Sequence, residues 1–151
     1  MSESFHFEIT TPSGQQFSAE ITQVSLPTVD GEITVLAHHE PLVSMLVPGE
    51  LRIVQNGETH PYAIAGGVLE VQNNRAVVLA DAAEHVEAID EEQAEEARKR
   101  AEELMREGKL DEEMYAETSA LLERNLARLK VARKYKHRGH RGVTQEGVLH
   151  E

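Results

Sequence analysis

Apolar and polar residues alternate with a period of two at the start of the chain, where Phe5, Phe7 and Ile9 interleave with His6, Glu8 and Thr10, the signature of a half-buried strand. The alternation resumes at Phe17, Ala19 and Ile21 after the turn cluster Thr11-Pro12-Ser13-Gly14. Asp30-Gly31 precedes a short apolar run at Ile33–Leu36, and Pro48-Gly49 follows Val43–Val47. Leu51–Val54 leads into Asn56-Gly57, a strong short-range hairpin signal because both residues tolerate positive φ. Gly66-Gly67, Val68–Val71, Asn73-Asn74 and Ala76–Leu79 complete a series of short strands with a turn every eight to twelve residues. That spacing predicts an antiparallel sandwich or barrel, and no helical period is visible before residue 88.

The pattern then changes. Asp90 stands where an N-cap belongs, and Gln93 three positions on completes the sequence of a capping box. Glu91, Glu92 and Glu95 suit the positive end of a helix dipole. Ala94, Ala97, Ala101, Leu104 and Met105 form a helical stripe, which Gly108 ends. Asp111 is a second N-cap, followed by a stripe at Leu122, Leu126 and Leu129, extended by Met114, Thr118 and Ala132. The short break between the helices predicts an antiparallel hairpin. From His137 the period fades, and the tail 139–151 is expected to be flexible. The fold class is therefore α+β: a β-sandwich domain over 1–86, a helical hairpin over 87–138 and the tail.

Charge sharpens the boundary. Residues 1–84 carry eleven acidic residues and only two basic ones, Arg52 and Arg75, whereas 85–138 carry fourteen acidic and twelve basic. The chain of 151 residues has a net charge of −12, which disfavours nucleic acid and anionic lipid as partners. No apolar run approaches the roughly 20 residues of a membrane span, and the first residues do not resemble a signal or transit peptide. The absence of cysteine removes disulfides, thiolate nucleophiles and Cys-ligated zinc.

Candidate chemistry is sparse. The sequence has no G-x-S-x-G elbow and no phosphate-binding P-loop. Adjacent His38 and His39 would point to opposite faces of a strand, and His137/His140 lie in the tail, so no metal site is expected. The distinctive cluster is basic: Arg124, Arg128, Lys130, Arg133, Lys134, Lys136 and Arg138 gather seven of the fifteen basic residues. It reads either as a solvated helix face or as a docking surface for an acidic partner or a nucleotide phosphate.

Several segments together resemble the epsilon subunits of F-type ATP synthase. They are the stretch from Asp30-Gly31-Glu32 through His39 and Pro41-Leu42-Val43, Pro48–Ile53, Gly66–Asn74, Val78–Glu84, and Ile89-Asp90 with Ala94. The sequence departs from the family pattern at Thr34, where glycine is usual, and at Ala37-His38, where Pro-Gly is usual. The resemblance implies a non-catalytic rotor subunit of a proton-translocating synthase, peripheral on the cytoplasmic face of the bacterial inner membrane. Its implied partners are the gamma subunit, the c-ring and the alpha/beta catalytic subunits. Gly31, Glu32, His39, Pro41 and Leu42 would form a loop facing the c-ring and gamma. The hairpin would permit ATP hydrolysis when compact and inhibit it when extended. Arg124, Arg128, Lys130, Arg133, Lys134 and Lys136 would then meet an acidic segment of beta. The resemblance implies no required cofactor, but ATP as a possible regulatory ligand at Glu84, Ile89, Asp90, Ala94, Arg124 and Arg128, with Gln93 where ATP-binding members often carry arginine. The other readings are a free-standing ATP-sensing module and a small sandwich hydrolase built on paired carboxylates.

Overall fold

Ten strands fill the first 85 residues of the computed structural model, which describes residues 3–150, with side chains through Lys136. They are β1 (Phe5–Thr11), β2 (Gly14–Ile21), β3 (Gln23–Thr28), β4 (Gly31–Leu36), β5 (Leu42–Leu46), β6 (Gly49–Gln55), β7 (Glu58–Ile64), β8 (Gly67–Gln72), β9 (Arg75–Ala80) and β10 (Ala83–His85). The hydrogen-bonded order is β10-β7-β6-β3-β5-β8-β9-β1-β2, and β4 pairs with β3. Every pairing is antiparallel except β1 with β9, a parallel exception within the expected antiparallel sandwich. Phe17 on β2 meets Tyr62 on β7 edge to face, with ring centroids 6.4 Å apart. Strands from opposite ends of the order thus face each other across one core.

Phe5, Phe7 and Ile9 of the predicted alternation are buried, together with Val24, Leu26, Leu51, Ile53, Leu69 and Val78 from other strands. Both Asn turns form as expected, with φ of 52° and 76° at Asn56-Gly57 and 51° and 57° at Asn73-Asn74, the left-handed geometry that suits the twist of a hairpin. Gly67 has a different reason to be glycine: a Cβ there would lie 2.2 Å from the Leu79 carbonyl oxygen. Three strands escape the sequence pattern. β3 and β7 contain Pro27 and Pro61, and β10 has three residues.

The two departures from the family pattern have local partners. Thr34 places its Oγ1 2.9 Å from Ser25 Oγ across the β3–β4 pair. His38 and His39 are not on a strand, because β4 ends at Leu36. His38 takes φ of 62°, and its backbone N–H donates to Asn74 Oδ1 at 2.7 Å. The Asn74 amide also donates to the Ser4 carbonyl at 3.1 Å, so one side chain steadies the His38 turn and the N-terminal segment.

Residues from Val86 onward form a second unit. A short 3-10 helix, Val86–Ala88, precedes α1 (Glu91–Glu107) and α2 (Glu112–His150). Asp90 caps α1 by accepting from the Gln93 N–H at 3.0 Å, and Gly108 ends it in the left-handed conformation. Asp111 caps α2, accepting from the Met114 N–H at 2.8 Å. The backbone of α2 continues to His150. Its side chains beyond Lys136 lie outside the described residues, and the tail expected from residue 139 has a helical backbone as far as His150. The α2 stripe is met in part: Leu129 and Ala132 are buried as expected, but Leu126 and Met114 are both exposed and Asn125 is buried in their stead. The buried set steps by four and three, the same spacing as Leu122, Leu126 and Leu129 but three positions further along the helix.

Candidate functional site

The helical unit brings polar groups together along one seam. Arg128 on α2 donates from Nη1 to Gln93 Oε1 at 2.7 Å and to Asn125 Oδ1 at 2.9 Å. Gln93 therefore supplies only half of the anticipated capping box, because its side chain turns to α2. Arg133 donates from Nε to Glu91 Oε1 at 3.3 Å and from Nη2 to Glu95 Oε2 at 3.0 Å. Lys136 donates from Nζ to the Ile89 carbonyl. Ala94 of α1 and Leu129 and Ala132 of α2 lie between these contacts and Ala101 lies beyond them toward Gly108, all buried.

The carboxylate of Glu95 also accepts from Arg98, which in turn reaches Glu102 at 2.8 Å. The bond from Arg98 is the main cause that holds the Glu95 carboxyl below its ordinary range, aided by the charges of Arg98 and Arg133 against a weaker burial effect. Its two acidic partners raise the Arg98 guanidinium pKa further still.

The basic cluster therefore divides. Arg128, Arg133 and Lys136 converge on the first turns of α1, whereas Arg124 and Lys130 are exposed. Lys134 Nζ lies 5.1 Å from the centroid of the Tyr135 ring. Of the residues expected at a nucleotide, Ile89 and Ala94 are buried and Asp90 is committed to its cap. Arg124 and Arg128 are one turn apart on α2, with Arg128 held by Gln93 and Asn125. Glu84 lies on β10, in the first unit.

In the first unit, the five residues expected in one loop do not form one. Gly31 and Glu32 open β4, at the end of the hairpin where Gly31 pairs with Thr28. His39 and Pro41 lie in the turn after β4, and Leu42 begins β5. The length of β4 alone separates the two groups by roughly 16 Å. Glu32 is bound to Arg52, whose Nη2 lies 2.5 Å from Glu32 Oε1 while its Nη1 lies 2.6 Å from Glu50 Oε1. These two carboxylates raise the Arg52 pKa well above its ordinary value.

A surface that the sequence reading did not single out lies on β5, β8 and β9. Met45 pairs with Val68, and Val68 with Leu79, so the three side chains share the outer face, with Val43 beside them on β5. Val43 is 71% exposed, Met45 63% and Leu79 57%. The signal was present in the apolar runs Val43–Val47 and Val77–Leu79, which break strict alternation and leave apolar side chains on both faces of a strand. Among the described residues no group of three or more His, Cys, Asp or Glu is arranged to hold a metal.

Comparisons with known proteins agree across both units. Residues 4–86 match the family model of the ATP synthase delta/epsilon chain beta-sandwich domain, and residues 87–133 match that of its long alpha-helix domain. The ATP synthase epsilon chain of Herpetosiphon aurantiacus is 45% identical over 126 residues, covering 83% of this chain and 92% of that protein. The ATP synthase epsilon chain of Chloroflexus aggregans is 41% identical over 131 residues, covering 87% and 94%. A chain in the cryo-EM structure of Euglena gracilis mitochondrial ATP synthase superposes with a TM-score of 0.67 at 25% identity, covering 80% of this chain and 76% of that one.

Proposed function

The chain belongs to the ATP synthase delta/epsilon family, as a non-catalytic epsilon-type chain, and on that premise we propose that it is a central-stalk subunit of a proton-translocating synthase. Its β unit docks on the gamma subunit and the c-ring, and its helical hairpin regulates ATP hydrolysis by the alpha/beta subunits. The observation that carries the docking role is the outer face of β5, β8 and β9. Large apolar side chains in adjacent register are left in water there, and a contiguous apolar patch on a soluble chain marks a surface that a partner covers. The Met45–Val68–Leu79 row is the proposed gamma-side contact. Gly31 and Glu32 at one end of β4 and His39, Pro41 and Leu42 at the other offer two separate rims to the c-ring and gamma.

The regulatory role is supported by the second unit. A hairpin with small buried side chains and a cationic seam can exchange one set of partners for another. When it opens, Arg124, Arg128, Lys130, Arg133, Lys134 and Lys136 meet an acidic segment of the beta subunit. ATP, held by Glu84, Ile89, Asp90, Ala94, Arg124 and Arg128, favours the compact form. The subunit is placed at the cytoplasmic face of the bacterial inner membrane, as a peripheral part of the complex. No helix among the described residues is long and apolar enough to cross a membrane.

The test is reconstitution. The cognate catalytic complex lacking this subunit is assayed for ATP hydrolysis after adding back the full chain or a version ending at Val86, with binding of both confirmed. Inhibition by the full chain alone supports the regulatory role. If both bind and neither inhibits, that role falls and the docking role remains. If Val43→Asp with Met45→Asp leaves binding unchanged, the proposed docking face is wrong.

A further inference from the structure

The contacts that close the hairpin are unevenly placed. Arg128 with Gln93, Arg133 with Glu91 and Glu95, and Lys136 with the Ile89 carbonyl all lie where α1 begins. At the opposite end, around the Gly108 turn, no side-chain hydrogen bond joins α1 to α2 among the described residues, and Leu104, Met114, Tyr115 and Leu121 are 39–50% exposed. The apolar seam between is thin, with alanines opposite Leu129 and Ala132. Closing two helices on so little apolar area leaves a small margin, so polar contacts at one end have leverage that they would lack in a large core.

We infer that this end of the hairpin is an ionic latch, in which the acidic start of α1 acts as an internal partner for the cations of α2 and holds the hairpin closed without a ligand. Arg133 is its centre, because from α2 it reaches two carboxylates on successive turns of α1. Arg98 keeps the Glu95 carboxylate positioned and ionised for it. Gln93 fixes Arg128 through a neutral amide, so that contact depends little on ionic strength, whereas the Arg133 contacts are exposed and screened by salt. The latch deepens the proposed regulatory role and rests on it for its biological use. The residues that hold the hairpin closed are among those offered to an acidic partner when it opens, so the two engagements exclude each other. An acidic partner must displace Glu91 and Glu95 before it reaches Arg133.

The test uses the full chain, whose lack of cysteine allows a clean pair of labels. Spin labels at E92C on α1 and K130C on α2, both at exposed positions, report the separation of the latch end by pulsed electron resonance. It rises to roughly 57 Å if the helices run on as one rod. R133E turns two attractions into two repulsions and is expected to raise the open-to-closed ratio about fivefold to tenfold. Adding E91R restores one attraction and returns at least a third of the shift. Raising sodium chloride from 0.05 to 1 M is expected to open the unaltered chain severalfold, with a weaker response in R133Q. An unchanged distance distribution in R133E with normal helical circular dichroism overturns the latch, as does failure of E91R to restore closure, or indifference to salt. The readout is independent of hydrolysis. A chain that opens as expected yet never inhibits the catalytic complex keeps the latch and loses the regulatory reading, and the reverse result does the opposite.

Discussion

The β unit closes on Phe5, Phe7, Ile9, Leu26, Leu51 and Ile53, all at or below 2% exposure, whereas the helical unit closes on Ala94, Ala101, Ala127 and Ala132 with Val86, Ile89, Leu129 and Val131 and no buried aromatic ring among the described residues. Fully burying a large apolar side chain contributes about 1.5–3 kcal/mol, and an alanine methyl only about 0.8 kcal/mol. The sheet is therefore over-determined by apolar area, and its polar contacts trim it. In the hairpin the proportions reverse, and caps and ion pairs carry a large share of a small total. A unit held by large buried side chains and a unit held mostly by small ones are thus built from one chain.

The contrast is open to direct attack. The largest effect is expected in the sheet: Phe7→Ala, at a fully buried site beside Phe17, should cost about 3–5 kcal/mol in denaturant unfolding of the β unit. A loss below about 1 kcal/mol would mean that the core is not the source of its rigidity. Ala94→Leu on the hairpin seam adds volume where the exposure is 0%, and overpacking should cost about 1–3 kcal/mol of hairpin closure. Labels across α1 and α2 should then separate while the β unit keeps its unfolding midpoint. Asp90→Ala removes the N-cap of α1 and should cost about 1 kcal/mol, read as earlier fraying of α1 in amide hydrogen exchange. The smallest effect is on pH. Arg98 on the same helix is the main cause that lowers the Glu95 carboxyl and stays when the hairpin opens, but Arg133 on α2 adds to it only when the hairpin is closed, so the closed state binds slightly fewer protons than the open one. Its contribution is present at neutral pH and is lost as pH falls through the carboxylate range. The open fraction should rise on acidification, and less so in Glu95→Gln.

The strands that could be read in advance are those whose side chains alternate cleanly, such as β1 around Phe5, Phe7 and Ile9, or those bounded by Asn-Gly or Asn-Asn turns. β3 and β7 were hidden because Pro27 and Pro61 interrupt the pattern. Only strand pairing shows that those prolines are tolerated where they lie. The caps at Asp90 and Asp111 were legible because a cap is a local bond within three residues. The partner of Gln93 was not, because it comes from Arg128, thirty-five residues away.

Local chemistry thus determined the order of elements, the change from a period of two to a helical period near residue 88, the turn and cap residues, and the family resemblance of the chain. Each rests on interactions over a few positions or on patterns along one strand or helix. Tertiary structure decided which apolar residues were left in water, since Val43 and Ser44 differ by one face of a pleat and only pairing says which face is covered. It also parted Glu32 from His39, because a strand is long compared with the reach of a side chain. And it divided the cations of α2 into those that hold α1 and those that face solvent, for that choice depends on where a second helix lies.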